Sequence, residues 1–218
     1  MIDMLLRRPL GPAARIADGL RVLGLLSVLA ALIGWGLVEV LLFLLVLLGQ
    51  LLARAAGTHP VLDGTTSTVL LLASWSAVLD WYAAVPALDL AVHFAATGVL
   101  AALAFRLWQR WLEPAPQPPL AGARIVLPVL SLGALLSVLW EFGEWFGYYL
   151  VSSDINVGYD DTVGDLAAGL LGSLTAGIVL SKLRPAAEIA GGAGPHAGAS
   201  GGSPGRLGGP YFPPADEG

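Results

Sequence analysis

The 218-residue chain has no cysteine and little charge, with only 12% of its residues Asp, Glu, Lys or Arg. Without a thiol there is no disulfide, iron–sulfur cluster or thiolate zinc site, and cysteine usage leaves the redox compartment open. A soluble domain carries about 25% charged residues. The shortage here excludes a soluble enzyme, a disordered acidic chain and a nucleic-acid binder, which needs exposed basic surface. What is present instead is apolar: 56% hydrophobic residues and a mean hydropathy of +0.75. This is the composition of an integral membrane protein. Its long runs must satisfy their backbones internally, which predicts an all-α fold.

Apolar runs span Leu20 to Leu52, Thr65 to Val85, Ala87 to Leu107, Ile125 to Val151 and Thr162 to Leu180. The last four are near the roughly 20 residues a bilayer requires. The first would reach about 50 Å as one helix, against a hydrocarbon core of about 30 Å. It is either one tilted span or two spans turning at Gly34-Trp35-Gly36. The basic residues choose between these. Six spans put Arg7, Arg8, Arg15, Arg21, Arg54, Arg106, Arg110, Arg124, Lys182, Arg184 and Arg206 all on one side. Five spans divide them and leave the larger group outside, against the positive-inside bias. The expectation is a polytopic transmembrane helix bundle of six spans, five if the first run is one long helix, with both termini cytoplasmic. Residues 1–19 form a cytoplasmic N-terminal segment and 20–183 the transmembrane domain. Residues 184–218, rich in Gly, Pro, Ala and Ser, form a disordered cytoplasmic tail. Pro114, Pro116, Pro118 and Pro119 make a stiff cytoplasmic connector.

This topology also sorts the acids. Glu39, Asp80, Asp89, Glu141, Glu144, Asp154, Asp160, Asp161 and Asp165 fall at or below the outer surface, with His93 and no Lys or Arg. A charged side chain near the bilayer centre costs about 2.5–3.5 kcal/mol, less toward the interface. Such a group of acids must be protonated, hydrated or given a cation. Helical spacing allows several to converge: Asp89 and His93 are i and i+4, Glu141 and Glu144 i and i+3, Asp161 and Asp165 i and i+4. From Asp165 the same face continues through Gly169, Ser173 and Gly177, a ridge that suits close packing and turns the acids inward. Carboxylates with one imidazole suit a divalent cation such as Mg²⁺, Mn²⁺, Fe²⁺ or Zn²⁺, and helix bundles build such sites on facing helices. The metal-ligand candidates are Asp89, His93, Glu141, Glu144, Asp161 and Asp165, with Glu141 or Glu144 the candidate general base. Hydrogen-bonded or solvated acids near the interface are the alternative. Trp81, Tyr82, Trp145, Phe146, Tyr148 and Tyr149 read as an interfacial aromatic belt.

The segments Asp89-Leu-Ala-Val-His93-Phe94, Glu141-Phe-Gly-Glu144-Trp145 and Gly158-Tyr-Asp160-Asp161 through Asp165 into Gly169 carry a resemblance. Here the chain is similar to the YjdF-like family of bacterial inner-membrane proteins and, more distantly, to VanZ-like proteins linked with glycopeptide resistance. The resemblance implies the bacterial cytoplasmic membrane and a site at these residues, and it implies no reaction. Three readings stay open. One is a metal-dependent membrane enzyme acting on an envelope lipid or lipid-linked substrate. The second is an ion or proton transporter, and the third a structural or accessory protein. Membrane lipids are the expected partners.

Overall fold

The computed structural model describes residues 11–85, 87–111, 122–153, 155 and 157–191, with side chains described up to 183. Over these residues the chain forms α1 Pro12–Gly34, α2 Leu37–Ala55, α3 Pro60–Val78, the single turn α4 Trp81–Ala84, α5 Leu88–Trp111, α6 Ala123–Leu150 and α7 Tyr159–Gly191, and no strand. Every helix except α4 is long and apolar enough to cross a membrane, α7 over Tyr159–Leu183. The first hydrophobic run is therefore two spans, and the single long helix is ruled out.

Local chemistry sets the breaks. After Gly34 the backbone of Trp35 is extended, and the Gly36 N–H donates to Glu39 Oε2 at 2.9 Å. Glu39 is thus a cap on the first turn of α2, where a carboxylate favours the helix dipole, and not a member of any acid cluster. Helix α1 begins at Pro12, well ahead of the hydrophobic run, because proline in the first turn lacks only an N–H that would have no partner there. Helix α1 consequently has 23 residues, and α2 has 19. Arg15 and Asp18 lie on α1, with Arg21, rather than before it. Helix α3 starts at Pro60 and stops at Val78, and Asp80, at a left-handed φ of 56°, then turns the chain into α4. The proline-rich connector, Asp154 and the tail from residue 192 onward lie outside the described residues.

Helices α1, α2 and α3 pack on one another, and α7 packs most heavily against α5 and α6. Contacts of α3 with α5 join these two three-helix units. With six spans, the starts of α1, α3 and α6 share one end of the bundle, the terminal end, with the finishes of α2, α5 and α7. The α1–α2, α3–α5 and α6–α7 connections share the other, distal end. Among the described residues, the apolar, aromatic core of each unit lies toward one end. In the first unit Val28, Ala31 and Phe43 pack with Trp75 and Val78 at the distal end. In the second, Ala101, Phe105, Ile125 and Val129 pack with Trp108 and Leu180 at the terminal end. Ala53 and Ala56 against Leu103 seal the seam between the units.

Candidate functional site

Polar groups gather in each unit at the end its aromatic core leaves open. In the first unit this is the terminal end. There Arg21 of α1 pairs with Asp18 on its own helix and with Asp63 of α3. Its Nε–H donates to the Gln50 carbonyl of α2 at 3.4 Å, and Arg54 lies 3.7 Å from Asp18. The Arg21 and Asp63 side chains are 11% and 7% exposed, so these are buried charges, balanced two against two. The expected topology puts Asp18 and Asp63 on the cytoplasmic side and says nothing of a pairing between them and the arginines. The one local clue was the i, i+3 spacing of Asp18 and Arg21 on what proves to be a helix. The partner Asp63, 42 residues from Arg21 in sequence, carries no such mark.

The second unit has its cluster at the distal end, built from the same three places: the start of its first helix, the finish of its second and the start of its third. Asp89 and His93 stand one turn apart on α5, and Asp165 faces them from α7. His93 Nε2 lies 3.5 Å from Asp89 Oδ1 and 3.7 Å from Asp165 Oδ2. One ligand atom from each of the three residues falls within 4.8 Å of the other two. Asp165 is only 3% exposed. Around this triad stand Glu141, whose carboxylate accepts a hydrogen bond from Thr162, and Glu144, which accepts one from Trp140. Asp161 and Asp89 lie close enough to act on each other's charge. Of the six residues expected to meet, Asp89, His93 and Asp165 form the tight group, and Asp161, Glu141 and Glu144 surround it.

Close packing under the triad explains how three helices bring acids so near one another. The ridge expected on α7 is observed, with Asp165, Gly169, Ser173 and Gly177 all buried. One turn below the triad, a Cβ at Gly169 would meet Ser137 Oγ of α6 and Thr97 Oγ1 of α5, the latter at 3.0 Å. A turn deeper, a Cβ at Gly133 would meet Ser173 and approach Ala101 Cβ to 3.2 Å. Between α5 and α7 the backbones themselves touch. A Cβ on Gly98 would lie 2.9 Å from the Gly172 carbonyl oxygen, and one on Gly172 would fall on the Phe94 carbonyl. Small residues at helix crossings allow this approach.

The electrostatics of the two clusters differ in kind. In the distal one, the nearest basic residues along each helix are Arg106 on α5, Arg124 on α6 and Lys182 on α7. From His93, Glu141 and Asp165 these are about 20, 26 and 26 Å away along the helices. The surplus negative charge is felt just above the membrane-length helices, at Tyr82 of α4. Burial, and then the carboxylates of Asp89, Glu144 and Asp165, push its phenol well above the ordinary tyrosine value. Tyr82 stays protonated, and its O–H donates to the Ala73 carbonyl of α3 at 2.9 Å, fastening the turn α4 to the helix before it beside the cluster.

Six membrane-length helices, three of them gathered about a partly buried carboxylate–imidazole cluster, define a polytopic helical membrane protein with a polar site near one end of the bundle. The chain belongs to the family described as "Predicted membrane protein (DUF2238)", whose model matches residues 20–185, the greater part of its length. No curated protein and no solved structure matches it at a significant level.

Proposed function

We propose that the distal cluster is a divalent-cation site facing the outside of a bacterial cytoplasmic membrane, and that it serves chemistry on an envelope lipid or lipid-linked substrate. The observation that carries this reading is the spacing around His93. At 3.5 and 3.7 Å, Nε2 is too far from either carboxylate for a good hydrogen bond. Two ligands about 2.1 Å from one tetrahedral ion are about 3.4 Å apart, which is close to the separation observed.

The terminal cluster offers a comparison within the same molecule. In equivalent places the first unit carries Arg21 and Arg54 between its acids, whereas the second carries His93 and Glu144. Where one unit supplies its own positive charge, the other calls for a guest. Asp89, His93 and Asp165 are assigned as ligands, with Asp161, Glu141 and Glu144 as further ligands or, for either glutamate, the general base. A bound ion would supply Lewis acidity and a more acidic water. With no Lys or Arg at this end, a phosphate-bearing substrate would be held through the ion alone.

Trp145, Phe146, Tyr148 and Tyr149, exposed beside Glu144 on α6, suit a lipid surface. The outward orientation rests on the one-sided distribution of Lys and Arg. The likeness to YjdF-like and VanZ-like proteins supports the same compartment. A transporter is the less favoured reading. The charges of the terminal cluster are matched to one another, and the two clusters lie in different units at opposite ends, an arrangement that suits two local sites better than a conduit.

The test is metal analysis of the full-length protein purified in detergent and exposed to Mn²⁺ or Zn²⁺. Close to one ion per chain is expected in the wild type, with loss in His93→Ala and Asp165→Ala variants that keep their helical circular dichroism. A wild-type protein that retains no divalent ion refutes the reading.

A further inference from the structure

Several hydroxyls within these helices bond back to a carbonyl of the preceding turn. Ser27 donates to the Leu23 carbonyl at 2.9 Å, Thr68 to Gly64 at 2.9 Å, Ser173 to Gly169 at 2.8 Å and Thr175 to Leu171 at 2.8 Å. Ser137 does not, and neither do Thr66, Ser67 and Ser76 on α3; of these four, Ser137 alone lies on a helix of the distal cluster, 6% exposed and with no hydrogen-bond partner for its Oγ among the described residues. The hydroxyl instead reaches from α6 to the place on α7 where Gly169 has no side chain, where Thr97 Oγ1 also arrives. A buried hydroxyl without a partner is costly, so its orientation needs an explanation.

The register supplies one. Ser137 lies one turn below Glu141 on α6, Thr97 one turn below His93 on α5, and Gly169 one turn below Asp165 on α7. The backbone positions that carry these two hydroxyls therefore lie about 5.4 Å beneath those that carry the carboxylates and the imidazole. A water molecule bonded to a carboxylate above and a hydroxyl below spans about 5.6 Å, two O–H···O distances of about 2.8 Å. Such a water needs two to four polar partners. Ser137, Thr97 and the acids of the layer above meet that requirement.

We propose that Ser137, with Thr97, holds a water ligand on the inner side of the bound cation, so that the site extends one turn deeper than its charged residues. This rests on the cation reading given above. Ser137 is a positioning residue: it acts on the ion through the water and does not touch the metal. Partners of this kind are worth about 10- to 100-fold in metal affinity. The same residue has an opposite effect on the metal-free fold, where its hydroxyl is a buried donor without an acceptor.

The experiment compares full-length wild type with Ser137→Ala and Gly169→Ala in detergent. Mn²⁺ affinity is read by isothermal titration, and thermal stability of the chelator-treated protein by fluorescence. Ser137→Ala is expected to weaken Mn²⁺ binding at least tenfold while the metal-free protein melts at the same temperature as wild type or higher. Gly169→Ala fills the gap and is expected to weaken binding comparably. Mn²⁺ affinity of Ser137→Ala within twofold of wild type overturns this proposal and leaves the cation site standing. A lower melting temperature for metal-free Ser137→Ala also overturns it, since the hydroxyl would then have a structural partner. Failure of the wild type to bind Mn²⁺ overturns the cation site and this inference with it.

Discussion

Replacing Gly172 with alanine adds a single methyl group where the backbones of α5 and α7 touch. The new Cβ would fall on the Phe94 carbonyl oxygen, 2.8 Å from the carbonyl carbon and 3.1 Å from the Phe94 Cα. These are backbone atoms in mid-helix and cannot rotate aside as a side-chain tip can. Relief requires α5 and α7 to separate until ordinary contact distances return, which opens the interface around them. Overpacking of this kind costs about 1–3 kcal/mol and sometimes more.

The damage would extend to the distal cluster, because Phe94 adjoins His93 and Gly172 lies two turns below Asp165. Separation of the helices lengthens the 3.7 Å approach of His93 to Asp165. Gly143→Ala is the control. A Cβ there meets nothing within 4 Å, so this helix should be unchanged or gain about 0.5–1 kcal/mol from alanine's better propensity. Thermal unfolding of both variants in the same detergent, followed by Mn²⁺ titration, measures the contrast. Gly172→Ala should melt roughly 2–10 °C below wild type and bind the ion more weakly, with Gly143→Ala normal on both counts. Equal melting temperatures for the two variants would refute the close crossing and the register built on it.

The buried charges of the first unit give a second prediction. Arg21→Ala removes the direct partner of Asp63, leaving only the more distant Arg54, and should destabilise by about 3–5 kcal/mol, whereas Arg21→Met with Asp63→Leu should recover most of the loss. An Arg21→Ala cost below about 1 kcal/mol would mean that the pair is solvated. Topology gives a third: reporters inserted at residues 154 and 116 should read outside and inside respectively, and the reverse would turn the distal cluster toward the cytoplasm.

Much of the architecture was legible because bilayer thickness constrains apolar length so strongly. Gly34-Trp35-Gly36 divided an overlong run where the helices do separate, and the charge count made the same choice independently. Asp165, Gly169, Ser173 and Gly177 share a face by helical periodicity alone, and that face is the buried one. Other features depend on which residues of different helices come level with one another, and periodicity within a segment carries no information about that. The Arg21–Asp63 pair, the Gly98–Gly172 crossing and the convergence of Ser137 with Thr97 all belong to this group. Glu39 shows the converse, an acid in the expected region that a local hydrogen bond removes from the cluster. The single-sequence pattern could identify three polar pairs, but only the packing of α5 and α6 on α7 selects Asp89, His93 and Asp165 as the nearest neighbours.

The two units also differ in when they can be completed as the chain leaves the ribosome. Every charge of the first unit's cluster is in place once Asp63 has been made, so α1 to α3 can neutralise themselves as an early, self-sufficient package. The second unit must carry Asp89 and His93 into the bilayer some 70 residues before Asp165 exists to face them. Its last helix acts as a keystone, since α5 and α6 hold their acids in reserve until α7 docks. Loss of α7 would then leave a half-built protein with an intact first unit and stranded carboxylates, a natural target for membrane quality control.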